Sequence, residues 1–132
     1  MIGIDTNVLL RTIVADDPRQ AEVAIAFLEK HCTPESPGFV NSIVLCELVW
    51  SLRSTYGVGR KDIAVAIGSV LNNSSLALED RTEVMAAVQK FRAGATDFPD
   101  LLISEINRSC GCSATATFDR KAAKLEGFIA VR

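Results

Sequence analysis

Four acidic side chains occur at positions where carboxylates could serve in metal chemistry: Asp5, Glu47, Asp100 and Asp119. Carboxylates that converge repel one another unless a cation neutralises them, and all-oxygen ligation suits Mg²⁺ or Mn²⁺. Magnesium held by few carboxylates keeps several waters, and one such water can attack a phosphodiester while the metal stabilises the leaving oxygen. These residue types therefore point to metal-dependent hydrolysis of a phosphodiester.

Two of the four acids follow predicted strands. The short apolar run Met1–Ile4 predicts a buried strand that ends at Asp5, and the alternating run Ser113–Phe118 predicts another that ends at Asp119. In open α/β sheets, ligands bind just outside the carboxyl ends of the strands. We therefore expect both carboxylates on one edge of a parallel sheet. Asp119 has an alternative role as the cap of a short helical turn, Arg120–Leu125.

Glu47 interrupts a segment, Ile43–Trp50, in which every other residue is apolar. A helix that is apolar all round is expected to be buried. An isolated ionised carboxylate there is costly and needs hydrogen bonds, a cation or a raised pKa. We favour a metal ligand, and a buried glutamate paired with an arginine is the alternative.

The segment from Asp97 to Asp100 predicts the start of a helix, because Pro99 suits a first helical turn. Asp97 or Phe98 is the expected cap, and Asp100 lies in the first turn. The helix dipole favours acids in a first turn, so it accounts for Asp100 no worse than metal binding would. Two acids at one helix start nevertheless exceed what capping requires.

The remaining pattern supplies the elements that must position these acids. Strands are expected at 1–4, 39–40, 76–78, 113–118 and 128–131. Helices are expected at about 6–14, 43–55 and 60–71. Three more are expected: one that begins at 18, one that follows a capping box Asp80-x-x-Glu83, and one that runs from 98 to a stop at Gly111. The last helix is expected to bury Leu102, Ile103, Ile106 and Cys110. This alternation predicts an α/β domain with a mainly parallel sheet and right-handed crossovers. A length of 132 residues without linker or repeat predicts one domain, 1–132.

Composition narrows the class of protein. No apolar run is long enough for a membrane helix and no signal-peptide pattern occurs, so we expect a cytoplasmic protein. The net charge of −2 means that a nucleic-acid partner must be held by local patches. One basic group is Arg120, Lys121 and Lys124; the other is Arg53, Arg60 and Lys61. Arg120 and Lys121 are candidates to contact RNA, although solvated helix faces explain both groups equally well.

Several other chemistries find little support. There is no P-loop and no G-x-G-x-x-G, and His31 is the only histidine, so histidine-based acid–base catalysis is nearly excluded. The cysteines are Cys32, Cys46, Cys110 and Cys112, and none forms a C-x-x-C pair. His31-Cys32 with Cys110-x-Cys112 could ligate zinc, but buried or loop thiols are the better interpretation.

The chain resembles PIN-domain proteins, and most closely the VapC-type ribonuclease toxins of type II toxin–antitoxin pairs. The matching stretches, in family order across nearly the whole chain, are Ile4–Asn7, Glu47 in an apolar helix, Asp97–Ile103 and Thr117–Ala123. The resemblance implies a single PIN-like α/β/α sandwich with a mainly parallel central sheet. It also implies an endoribonuclease that cleaves RNA phosphodiesters by metal-activated water.

Site residues carry over from the resemblance by position. Asp5, Glu47, Asp100 and Asp119 would be the catalytic acids that bind Mg²⁺, with Mn²⁺ as a substitute, and Asp97 an accessory acid. Thr6, Asn7 and Thr117 match positions that hydrogen-bond the carboxylates or a water on the metal. The resemblance further implies a homodimer and a cognate antitoxin protein. Leu101, Ser104 and Glu105 depart from the small residues usual in that helix, which concerns its packing rather than the site.

Three alternatives remain. A receiver domain also gathers aspartates around Mg²⁺, but neither a phosphoacceptor aspartate on a central strand nor a lysine after the last strand is evident. A relative of DNA 5′-nucleases would need room for a helical arch, which this length lacks. The third is a non-catalytic PIN-fold module that binds nucleic acid or protein, and the presence of all four acids argues against it.

Overall fold

The computed structural model describes all residues, Met1–Arg132. Its elements in chain order are β1 (Ile2–Gly3), α1 (Thr6–Ile13), α2 (Pro18–His31), β2 (Gly38–Val40), α3 (Ser42–Ser54), α4 (Arg60–Asn72), β3 (Leu76–Leu78), α5 (Arg81–Arg92), α6 (Phe98–Ser109), β4 (Thr115–Thr117), a 3₁₀ helix (Ala122–Lys124) and β5 (Phe128–Ala130). They form two compact units, Met1–Arg81 and Thr82–Arg132. No helix is long and apolar enough to cross a membrane.

The first unit contains a three-stranded sheet in the order β1-β2-β3. Both strand pairs are parallel, with Ile2 opposite Gly38 and Gly38 opposite Leu76. Parallel neighbours need crossover connections, which α1 and α2 provide between β1 and β2, and α3 and α4 between β2 and β3. The predicted α/β class with parallel pairing is thus confirmed, and it fits a PIN-like α/β/α fold.

Local signals in the sequence set the starts of α2 and α3. Pro18 lies in the first turn of α2, and the Asp17 side chain accepts a hydrogen bond from the Gln20 amide. Asn41 caps α3, since its Oδ1 accepts the Val44 N–H at 2.9 Å. Each of these side-chain hydrogen bonds pairs a backbone N–H that the first turn of the helix leaves without a partner.

The core of the first unit consists mainly of branched aliphatic side chains that are nearly inaccessible to solvent. They include Leu9, Val40, Leu45, Leu48, Leu52, Ile63 and Ile67. Each fully buried Leu or Ile side chain contributes ~1.5–3 kcal/mol relative to its exposed state. Gly38 on β2 meets this core closely, because a Cβ at that position would lie 2.9 Å from both Cys32 Sγ and Ile4 Cγ1.

Two burial predictions for this unit are wrong. β1 is an edge strand with both residues exposed, and burial begins only at Ile4. Helix α3 is not buried all round: Ile43 is 71% and Trp50 60% exposed, and Glu47 is also exposed. Apolar residues therefore extend round more of α3 than the neighbouring elements cover. Glu47 is neither an isolated buried charge nor half of a buried pair with arginine.

The second unit contains helices α5 and α6 and a parallel pair of strands, β4 and β5, in which Thr115 lies opposite Phe128. Phe91 and Phe98 pack edge to face with centroids 6.0 Å apart. Gly127, at a φ of +89°, precedes β5, and a Cβ there would lie 3.0 Å from Ser104 Oγ. Only glycine combines this backbone conformation with so close an approach to α6.

The buried face of α6 differs from the prediction. Phe98, Leu101, Leu102 and Glu105 are buried, whereas Ile103 and Cys110 are exposed and Ile106 is partly exposed. Glu105 is 5% exposed and is neutralised by Lys90 Nζ at 2.6 Å and Arg108 Nη2 at 3.1 Å. The buried face of α6 differs from the predicted one because these two cations allow the Glu105 carboxylate to be buried.

The predicted capping box at the start of α5 does not form. Asp80 has a φ of +53°, and its Oδ2 accepts a hydrogen bond from Ser42 Oγ in the first unit. The Glu83 carboxylate instead accepts the hydroxyl of Ser109 at the end of α6. Each acid has found a partner outside the helix start, so the reciprocal capping bonds are lost.

Candidate metal centre

In the first unit, Asp5 lies two residues beyond β1 and caps α1. Its Oδ1 accepts the Thr6 N–H at 2.9 Å, as expected for an acid at a helix start. Asp5 is exposed, and its Oδ2 accepts no hydrogen bond from the protein. One carboxylate oxygen thus fixes the side chain while the other is available to a ligand.

Thr6 connects two of the predicted acids. It is buried, with 7% of its surface exposed, and its hydroxyl donates to Glu47 Oε1 at 3.4 Å. Because its amide also donates to Asp5, one residue contacts the carboxylates of Asp5 and Glu47, which are far apart in sequence. The bond to Glu47 is long and therefore weak, so it contributes little to the stability of the fold.

Asn7 directly follows Thr6 in the first turn of α1. It is exposed and lines the concavity between α1 and α2 together with Val8 and Arg11. Arg11 is held there by Gln20 Oε1 at 2.7 Å, Asp16 Oδ1 at 3.0 Å and Tyr56 Oη at 3.1 Å. The hydrogen bond with Tyr56 raises the pKa of Arg11, so this guanidinium stays charged.

In the second unit, Asp119 lies two residues beyond β4 and is held on both sides. Its Oδ1 accepts the N–H groups of Lys121 at 2.8 Å and Ala122 at 2.9 Å, and its own N–H donates to Thr117 Oγ1 at 3.0 Å. Oδ1 therefore caps the following turn, the alternative that the sequence left open. Asp119 is exposed, and Oδ2 accepts no hydrogen bond from the protein.

The start of α6 carries the other two acids. Asp97 occupies the N-cap position with no side-chain capping bond, and Asp100 lies in the first turn after Pro99, as predicted. Both side chains are partly buried. The positive end of the helix dipole favours negative charge at these two positions.

Basic residues adjoin Asp119 along the chain. Arg120 and Lys121 are both exposed, but only Arg120 lines the concavity of about 580 Å³ formed by the C-terminal segment. Lys124, which the sequence places in the same basic group, shares that concavity with Phe118 and Arg132, and these last two were missed as functional candidates. The available signal was an aromatic residue at a strand end, which the alternating pattern assigned to a strand face.

The donor set fits a hard divalent cation. Within neither unit do three His, Cys, Asp or Glu side chains come together in a group that could hold a metal ion. Asp5 and Asp119 nevertheless each keep one exposed carboxylate oxygen without a protein donor. Carboxylate oxygens are the ligands that Mg²⁺ and Mn²⁺ prefer, whereas thiols are not. All four cysteines are free, and partial burial raises the pKa of the Cys46 thiol.

Comparisons with known proteins agree with this geometry at the level of the family. A family model described as the PIN domain matches residues 2–127, nearly the whole chain. No curated protein and no solved structure matches the chain. The chain therefore belongs to the PIN-domain family, a nuclease fold whose members typically depend on divalent metals.

Proposed function

We propose that this protein is a Mg²⁺- or Mn²⁺-dependent endoribonuclease. The observation that carries the proposal is the contact of one buried threonine, Thr6, with the carboxylates of Asp5 and Glu47 in a PIN-domain chain. Asp5, Glu47, Asp100 and Asp119 would hold the ion, and Asp97 would act as an accessory acid. Carboxylates without histidine are the donor set expected for such an ion.

The chain's own contribution is to hold the carboxylates in place. A bound Mg²⁺ or Mn²⁺ would supply positive charge at the scissile phosphate and lower the pKa of a coordinated water. Thr6 orients the carboxylates of Asp5 and Glu47, while the backbone amides of Lys121 and Ala122 orient Asp119. Thr117 fixes the backbone at Asp119, and Asn7 would hydrogen-bond a ligand or water. Arg120 and Lys121 would contact RNA phosphates.

We further propose that the nuclease is the toxin of a toxin–antitoxin pair. It would act in the cytoplasm as a homodimer restrained by a cognate antitoxin. Large apolar side chains on helix surfaces support an association role, including Val23 at 64% and Val65 at 67% exposure.

The first experiment is cleavage of total bacterial RNA by the purified protein in Mg²⁺, Mn²⁺ or EDTA, with Asp5→Asn in parallel. Asparagine caps a helix as well as aspartate does, so this variant should fold and lose cleavage. Discrete cuts that disappear with EDTA and with the variant would support the nuclease. Metal-independent cuts would contradict it, and the absence of both cleavage and metal binding would favour the non-catalytic binding module.

The toxin role has a separate test. Expression of the protein without a partner should arrest bacterial growth, and expression of Asp100→Asn should not. Growth at the normal rate with abundant soluble wild-type protein would contradict the toxin role without contradicting the nuclease.

A further inference from the structure

The C-terminal segment of the second unit forms a basic concavity whose charges have no partner. Its lining combines the apolar side chains of Ala123, Ala130 and Val131 with the cations of Arg120, Lys124 and Arg132. The backbone continues the β4–β5 pairing beneath it, because the Val131 N–H donates to the Thr117 carbonyl at 2.9 Å. The concavity is therefore built on paired strands and the 3₁₀ helix rather than on a free loop.

The positive charge of this concavity stands out from the rest of the chain. Acids outnumber Lys and Arg by 16 to 14, yet no lining side chain is acidic. Arg11, Lys90 and Arg108 each form an ion pair with a carboxylate, whereas Arg120, Lys124 and Arg132 form none. Three unneutralised cations around one hollow favour a ligand with several negative charges.

Phe118 adds an aromatic surface to the same concavity. It is 83% exposed, more than any other large apolar side chain in the protein. It directly follows β4, and Thr117 beside it anchors the backbone at Asp119. An exposed ring of this kind gains nothing from the core and can instead stack on a flat partner.

We propose that this concavity binds a single-stranded polynucleotide, with a base stacked on Phe118 and neighbouring phosphates on Arg120 and Lys124. Cations that follow a backbone, combined with an aromatic platform, are the usual means of holding single strands without sequence readout. An acidic peptide would use the charges but leave the ring without a partner. The inference rests on the proposed function, under which the strand is the RNA substrate.

The test measures binding separately from cleavage. Fluorescence anisotropy of a short labelled oligoribonucleotide, in EDTA, is compared for wild type, Phe118→Leu and the double variant Arg120→Gln/Lys124→Gln. Phe118→Leu should weaken binding by roughly 5- to 150-fold, the range for loss of one stacked base. The double variant should lower the slope of log Kd against log salt by about 1.4, because each single-strand phosphate contact contributes about 0.7.

Matched controls use exposed residues outside the concavity. Trp50→Leu removes another exposed aromatic ring, and Lys30→Gln/Arg92→Gln removes two other exposed cations. Both should bind the oligonucleotide as the wild type does. Equal losses in variants and controls would overturn the inference, as would equal affinity for a duplex or full competition by poly-glutamate.

Further measurements separate the proposed binding of a single strand from the proposed nuclease activity. Tighter binding of RNA than of DNA of the same sequence would identify RNA as the ligand, and equal binding would support a single strand of either kind. Wild-type cleavage in Mg²⁺ with unchanged binding by both variants would overturn this inference and leave the nuclease intact. Binding that depends on Phe118 without any cleavage would support the inference and contradict the nuclease.

Discussion

At the scale of single residues, Thr6 is the position where fold and proposed chemistry meet. Its amide donates to the carboxylate that caps α1, and its hydroxyl donates to a carboxylate on α3. One residue can make both contacts because its backbone amide and its hydroxyl are separate donors. Both acids it touches are exposed, and Asp5 also caps α1, so the fold itself accounts for Asp5 and leaves Glu47 without a structural role beyond this contact.

The exposed position of Glu47 leads to a specific prediction for Glu47→Gln. The substitution removes one charge from the proposed metal site and leaves the core unchanged. We expect a change in unfolding free energy within about 0.5 kcal/mol and a clearly weaker affinity for Mn²⁺ by calorimetry. Glu22→Gln, another exposed glutamate on a helix, is the control and should keep wild-type affinity. Equal Mn²⁺ binding by wild type and Glu47→Gln would remove Glu47 from the metal site.

At the scale of elements, the buried carboxylate of Glu105 joins α5 to α6. Glu105→Gln leaves Lys90 and Arg108 without their counter-charge, but these side chains are 45% and 67% exposed and can turn to water. We therefore expect a loss of about 1–3 kcal/mol, less than for a fully buried pair. Arg108→Gln should cost under about 1 kcal/mol. Urea unfolding of the two variants tests this order, and a larger loss for Arg108→Gln would contradict it.

The contact between Glu83 and Ser109 predicts a pH dependence for the same two helices. The hydrogen bond from Ser109 lowers the pKa of Glu83, so its stabilisation is present above the unfolded pKa and is lost as the pH falls through the folded pKa. Ser109→Ala should therefore destabilise the protein more at pH 7 than at about pH 3. Ser69→Ala, which loses only a bond to the Val65 carbonyl, should show no such difference. Parallel losses at both pH values in Ser109→Ala would contradict the prediction.

The elements also show what the sequence could predict. Strand and helix order, Pro18 in a first helical turn and the stop at Gly111 follow from local patterns, because period, proline and glycine act within a few positions. The parallel pairing follows from the alternation of strands and helices. The exposure of Ile43 and Trp50 depends on which neighbouring elements cover α3, and the burial of Glu105 depends on cations elsewhere in the chain. Those are tertiary facts that a local pattern does not contain.

The candidate site divides in the same way. The positions of Asp5 and Asp119 after strands, and of Asp100 in a first helical turn, were predicted from adjacent residues. The long-range contact of Thr6 with Glu47 was not derivable from spacing, and Phe118 was missed because an exposed aromatic residue looks like a core residue in a sequence. That the four acids hold one ion stays a prediction.

At the scale of the whole molecule, charge is distributed unevenly along a chain of net charge −2. The basic concavity carries cations that form no ion pair within the protein, while the proposed metal ligands are all carboxylates. Such an arrangement makes the stability of the whole chain depend on the ions present, because a ligand that binds only the folded state stabilises it by mass action.

This dependence provides a test in which no RNA is needed. At a free Mn²⁺ concentration of 100 times Kd, the folded chain should gain about 2.7 kcal/mol, a rise in Tm of at least about 5 °C. Asp5→Asn and Asp119→Asn should each lose most of this rise, because we propose that both acids hold the same ion. Asp62→Asn, an exposed acid in the first turn of α4, should keep it. A full Mn²⁺-dependent rise in both Asp5→Asn and Asp119→Asn would place the ion elsewhere in the protein.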